Sequence, residues 1–187
     1  MNVINPSNEE PCAVISLGDQ QDTDAAVSAA RKAFNTWSQT SKEQRLVLLE
    51  ELANIYAARS EEMGAVISLE MGAPIAMAKT AQAGSGIGHI KGFIRAFKAF
   101  ELERKLGTHS PNDRILLEPV GVCGLITPWN WPMNQVTLKV IPALAAGCTM
   151  VLKPSEIAPL SSLLFAEFID EAGFPAGVFN LVNGDGI

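Results

Sequence analysis

The chain has 187 residues, enough for one domain of ordinary size with a sizeable core. Apolar residues make up 48% and charged residues 18%, the proportions of a packed protein rather than a disordered one. A net charge of −6 and a pI near 4.9, with basic residues scattered, argue against nucleic acid as a partner.

Cys12, Cys123 and Cys148 are an odd number without a C-x-x-C pair. No disulfide framework or zinc site is expected, and a reducing cytoplasm is the default compartment. The start, Met1-Asn2-Val3-Ile4-Asn5-Pro6, lacks a charged n-region and an apolar h-region, so no signal peptide is read. No apolar run reaches the roughly 18 residues of a membrane span. The most continuous run, 120–126, suits a buried strand instead.

The first third reads as helices. Asp22-Thr23-Asp24 offers N-cap oxygens ahead of Ala26, Val27, Ala30, Phe34 and Trp37, which follow the helical period. Ser41 and Gln44 form a capping-box pattern before Leu46, Leu49, Leu52, Ala53 and Tyr56, one apolar face. A third helix is expected over 60–71, ending at Gly72, with Pro74 opening a long fourth. Gly84-Ser85-Gly86-Ile87-Gly88 looks like a phosphate-binding glycine loop. Such a loop follows a strand, whereas here a helical segment precedes it and His89, Ile90 and Phe93 continue the period. It reads as a helix thinned by small residues for close packing.

Residues 102–119 contain Gly107, Ser110, Pro111, Asn112 and Asp113, and predict a loop or hairpin leading into a strand. Beyond this boundary short apolar runs alternate with helical segments. Strands are expected at 121–126, 149–152 and 178–182, and helices at 132–146 and 159–172, closed by Gly147 and Gly173. The order β-α-β-α-β predicts an α/β fold with a parallel sheet. It is an incomplete doubly wound, Rossmann-like sheet preceded by a helical N-terminal region.

Ligands of open α/β sheets bind outside the carboxyl ends of the strands. That rule selects three segments. Thr127-Pro128-Trp129-Asn130-Trp131-Pro132 places an amide donor between rings and prolines. The Asn130 amide could donate to a developing negative charge, or the segment could be a rigid turn covering the sheet edge. Lys153-Pro154-Ser155-Glu156 sets a cation and an anion three residues apart. A carboxylate there could accept from both hydroxyls of a ribose, with Lys153 beside it; alternatively Lys153 is simply exposed and Ser155 caps the next helix. Asn183-Gly184-Asp185-Gly186 is a glycine turn of weak signal. His89 and His109 lack partners at ligand spacing, so no metal site is expected. Cys123 and Cys148 are expected to be buried and inert.

Taken together, residues 126–132, 142–148, 153–156 and 177–184, with the earlier stretch 69–74, resemble the N-terminal part of the NAD(P)-dependent aldehyde dehydrogenase superfamily. The resemblance covers nearly the whole chain and implies roles. Asn130 matches the side-chain donor of the family's oxyanion hole. Lys153 and Glu156 match the residues holding the adenine ribose. Ile126, Thr127, Pro128 and Trp129 match the strand end lining the cofactor cleft, Ser155 lies beside it, and Gly186 falls in the loop beside the adenine. Glu156 would repel a 2′-phosphate, so NAD is expected rather than NADP, although some relatives accept both. Residues 1–101 become the N-terminal part of the cofactor-binding domain, 102–119 the start of an oligomerisation hairpin that implies a homo-oligomer, and 120–187 the β-α-β-α-β part.

In that family a cysteine thiolate attacks the aldehyde, hydride passes to the nicotinamide, and a glutamate-activated water releases the carboxylic acid. The nucleophilic cysteine, the glutamate and the pyrophosphate-binding glycine motif lie downstream of Ile187, and none of the three cysteines matches the nucleophile's motif. This chain alone is therefore expected not to oxidise aldehydes. Two other classes stay open, a non-catalytic nucleotide-binding or interaction module and a fragment without function.

Overall fold

The computed structural model describes residues 1–185. A two-stranded antiparallel hairpin, β1 (Asn2–Asn5) and β2 (Glu10–Val14), opens the chain where only helices were expected. Its turn is built from polar side chains: Asn5 Oδ1 accepts from the Ser7 N–H at 2.9 Å and the Ser7 hydroxyl at 2.7 Å. Pro11 inside β2 and the mixed polarity of β1 hide the alternation that would mark these strands.

Helix α1 (Gln20–Trp37) begins earlier than predicted, capped by Asp19 and not by the 22–24 segment. The Asp19 carboxylate accepts from the Gln21 and Asp22 N–H groups at 2.7 and 3.1 Å, and Asp22 accepts from the Asp19 N–H at 3.0 Å. This is a capping box in which aspartate replaces the usual glutamate at N3. Helix α2 (Lys42–Ala58) starts with the predicted Ser41–Gln44 box. Helix α3 (Ser60–Met71) ends on Gly72 with φ +76, a left-handed cap whose N–H donates to the Ser68 carbonyl at 3.0 Å. A helical turn α4 (Ile75–Met77) passes through a π-helical turn (Ala78–Gln82) into α5 (Ala83–Ala99). The glycines at 84, 86 and 88 lie inside α5, as read from the sequence.

Strands β3 (Glu103–Gly107) and β4 (Ser110–Leu116) pair antiparallel as the expected hairpin, exposed along most of their length. Then β5 (Val122–Ile126), α6 (Pro132–Ala146), β6 (Thr149–Lys153), α7 (Leu160–Glu171) and β7 (Phe179–Leu181) complete the β-α-β-α-β order. The three strands form one parallel sheet, β5-β6-β7. The sheet is held to its neighbours by side chains as well as ladders. Thr149 donates to the Ala30 carbonyl of α1 at 2.9 Å, and Asn180 donates to Met150 and Gly177 carbonyls at 3.0 and 2.8 Å.

One continuous core joins α2, α3, α5, α6 and α7 to the sheet. At its centre Tyr56 meets Phe168 edge to face at 5.7 Å and donates to the Ala83 carbonyl at 3.0 Å, so its hydroxyl does not go unsatisfied. The expectation that 120–126 is a buried strand is corrected. Val120 is 89% and Ile126 74% exposed, because among the described residues β5 has β6 on one edge and nothing on the other. Its apolar run suits a central strand, but burial needs a neighbour on each side. No helix among the described residues is long and apolar enough to cross a membrane.

Candidate active site

Register decides which side chains meet. Ile126 on β5 pairs with Lys153 on β6, so the two strands end level, and the Thr127 N–H donates to the Lys153 carbonyl at 3.2 Å. The Val182 N–H donates to the Leu152 carbonyl at 2.9 Å, which brings the end of β7 to the same edge. A Cβ on Gly184 would stand 3.6 Å from Lys153 Cε, so the segment after β7 borders the lysine.

At the end of β6, Lys153 and Glu156 form an ion pair of 3.2 Å, each side chain about one-third exposed. The Glu156 carboxyl is held below the usual range by its own backbone N–H and by Lys153, so it is ionised at neutral pH. Both partners keep a face toward solvent, where a carboxylate acceptor and an ammonium donor side by side suit a vicinal diol. Ser155 is nearly buried, and its hydroxyl accepts from the Ile157 N–H at 3.3 Å, within its own loop. It does not cap α7, so that alternative is set aside.

At the end of β5, Thr127 is buried, while Pro128, Trp129 and Asn130 are exposed, Trp129 by 47%. The Asn130 amide makes no hydrogen bond among the described residues. Trp131 follows in the left-handed region, φ +53 and ψ +56, as the N-cap of α6. A bulky residue there costs about 1–2 kcal/mol and holds the chain in a sharp corner. Pro132 then occupies N1, where its missing N–H is not needed. The corner leaves Asn130 at the positive end of a 15-residue helix that has no side-chain cap. No hydrogen bond joins Asn130 to the Lys153–Glu156 pair. The expected role of Gly186 lies outside the described residues.

The cysteines divide differently from expectation. Cys148 is buried, but Cys123 is only half-buried on the open strand β5. Burial and the neighbouring Cys148 push the Cys123 thiol up to about 11, so it is protonated at neutral pH. Cys12 lies in the N-terminal hairpin, its thiol directed at the Val3 carbonyl at 3.4 Å.

Two buried charges escaped the sequence reading. Arg45 is 5% exposed and donates to the Ala145 carbonyl at 2.9 Å, the Thr40 carbonyl at 2.7 Å and the Thr40 hydroxyl at 3.0 Å. Glu70 is 1% exposed and accepts from the Leu160 and Ser161 N–H groups at 2.5 and 3.0 Å. A signal existed for each. Arg45 stands in the stripe 45-49-52-56 of α2, and Glu70 in the stripe 63-67-70 of α3, on faces otherwise apolar. A charge on such a stripe calls for a partner.

These features define an open α/β protein whose candidate site runs along the carboxyl edge of parallel strands. Residues 1–187 match the family model described as "Aldehyde dehydrogenase family". The chain belongs to the aldehyde dehydrogenase family. It is 54% identical over 185 residues to a 3-succinoylsemialdehyde-pyridine dehydrogenase from Pseudomonas sp, covering 98% of this chain and 38% of that protein. An aldehyde dehydrogenase from Bartonella henselae superposes with a TM-score of 0.98 at 59% identity, over 100% of this chain and 39% of that one. Aldehyde dehydrogenase C from Pseudomonas syringae, crystallised as a mutant with NAD+ and octanal, gives 0.94 at 47% identity, over 99% and 37%. The chain thus spans under two-fifths of the length of the relatives it matches.

Proposed function

We propose that this chain supplies the cofactor-binding edge and the oxyanion donor of an NAD-dependent aldehyde dehydrogenase, which oxidises a small aldehyde to a carboxylic acid. One observation carries the reading. Level parallel strands β5 and β6 deliver, at one edge, an amide at a helix N-terminus and a lysine–carboxylate pair with a free face. NAD-bound relatives of the same fold support NAD as the cofactor.

The residues present fit that cofactor. Glu156, ionised, accepts from the two hydroxyls of a ribose, and Lys153 donates to one of them while fixing the carboxylate. The same negative charge disfavours a 2′-phosphate, so NAD is preferred over NADP. Ile126, Thr127, Pro128 and Trp129 form the wall of the cleft, and Ser155 braces the ribose loop through Ile157. Bound NAD supplies the hydride acceptor. Asn130 donates its amide N–H to the aldehyde oxygen as negative charge develops there, aided by the N-terminus of α6. No residue of this chain is assigned as nucleophile or general base: Cys148 is buried and the Cys123 thiol is protonated.

The hairpin β3–β4 is read as the start of a self-association surface. An apolar cavity of about 410 Å³ beside it, lined by Phe93, Phe97, Phe100, Leu102 and Leu117, supports a homo-oligomer. The cytoplasm is the proposed compartment. The deciding experiment is steady-state kinetics on the protein at its full length. Asn130→Ala should lower kcat about 10²- to 10³-fold with little change in NAD affinity. Glu156→Gln should do the reverse, raising the NAD dissociation constant about tenfold with kcat nearly kept. Unchanged kcat in the first variant, or unchanged NAD affinity in the second, overturns the assignment of that residue.

A further inference from the structure

We infer that Glu70, on helix α3 far upstream in the chain, is a positioning residue that sets the geometry of the Lys153–Glu156 loop. The inference rests on the reading of that loop as the ribose site.

Helix α7 has no capping side chain of its own. Its N-cap is Pro159, which carries no side-chain oxygen. The acceptors come instead from α3, ninety residues earlier in the chain, where the Glu70 carboxylate takes the first two N–H groups of α7. The loop between β6 and α7 is short, and besides the Lys153–Glu156 pair it closes on itself through Ser155, whose carbonyl accepts from the Ala158 N–H at 3.3 Å and whose hydroxyl accepts from Ile157. Its first end is set by the ladder from Lys153 to β5. Its second end is set by Glu70. Between the two lie Lys153 and Glu156, whose separation of 3.2 Å depends on the backbone path from β6 to α7.

Glu70 is itself held firmly. It is the second-last residue of α3, and that helix closes on Gly72 while the Ser68 hydroxyl donates to the Ala73 carbonyl at 2.8 Å. The two oxygens of Glu70 serve two donors, so a side chain with one acceptor should hold the loop less well, and one with none should release it. That ordering separates positioning from a general packing role, because Gln keeps the volume of Glu.

The test measures NAD dissociation constants by calorimetry on the protein at its full length, for Glu70→Ala, Glu70→Gln, Glu156→Gln and the double variant Glu70→Ala/Glu156→Gln. Glu70→Ala should weaken NAD binding about tenfold and Glu70→Gln about threefold. On the Glu156→Gln background, Glu70→Ala should add less than about twofold, because the contact it positions is already gone. Parent-like affinity in both Glu70 variants, with Glu156→Gln weakened, overturns the positioning role and leaves the ribose assignment standing. A full additional loss in the double variant also overturns it, since Glu70 would then act independently of the pair. If Glu156→Gln binds NAD normally, the ribose assignment fails and the inference with it. Should Glu70→Ala not fold, Glu70→Gln alone and combined with Glu156→Gln gives the same comparison.

Discussion

Raising the pH from 5 to 8 should weaken the fold through one buried carboxyl, Glu70. Burial pushes this group up to about 7, against the opposing pull of the hydrogen bonds from Ser161 and Leu160. In the unfolded chain it ionises at its ordinary value of 4.5. Between those values the folded protein holds a proton that the unfolded chain has released, so the free energy of unfolding falls as pH rises. The contribution is fully present below 4.5 and lost by the time the pH passes about 7. A displacement of that size corresponds to about 3 kcal/mol at 1.36 kcal/mol per unit. Glu43, Glu62 and Glu156 are held below their ordinary range, so their contributions run the other way, present above 4.5 and lost only as the pH falls below it. The assay is urea unfolding of the parent and Glu70→Gln at pH 5, 6, 7 and 8. Gln does not titrate, so the difference between the two proteins isolates residue 70. That difference should shift by about 3 kcal/mol against the parent from pH 5 to 8. A flat difference refutes the reasoning. That flat result would mean that the two N–H donors offset burial and that Glu70 is ionised in both states across this range.

Arg45→Met should cost about 2–4 kcal/mol in urea unfolding, because it leaves the Ala145 and Thr40 carbonyls without their donor and empties the space against Gly147. A loss under about 1 kcal/mol would show those carbonyls to be served by water. Two neighbouring glycines of α5 should respond in opposite directions. A Cβ at residue 86 would stand 2.3 Å from the Tyr56 hydroxyl, so Gly86→Ala should destabilise by about 1–3 kcal/mol. Nothing lies within 4 Å of a Cβ at residue 88, so Gly88→Ala should stabilise by up to about 1 kcal/mol through helix propensity, read as a higher Tm.

The local signals were legible wherever one residue type has one structural use. Ser41 and Gln44 marked the start of α2, Gly72 and Gly147 the ends of α3 and α6, and Pro132 the first turn of α6. The strand ends that carry the candidate residues were legible too, because they can be read from where the apolar runs stop. The N-terminal hairpin was not legible. Its strands are short, half exposed and interrupted by Pro11, so their pairing depends on contacts with α3 and not on pattern. The start of α1 was misplaced because three acidic residues compete for one cap. The winner, Asp19, was decided by where Gly18 is tied to the Asn183 carbonyl at 2.8 Å.

The sequence by itself determined the family, through its resemblance, and the β-α-β-α-β order, through local pattern and chain order; Asn130, Lys153 and Glu156 enter as roles that the resemblance implies. Tertiary structure decided the rest. It set the register that levels β5 with β6, turned Ser155 into its own loop, left the apolar run of β5 open, and gave α7 its cap from Glu70. The physical reason is that a hydrogen-bond partner ninety residues away leaves no local trace. A buried charge on an apolar stripe shows that a partner must exist, and only the packed fold says which one it is.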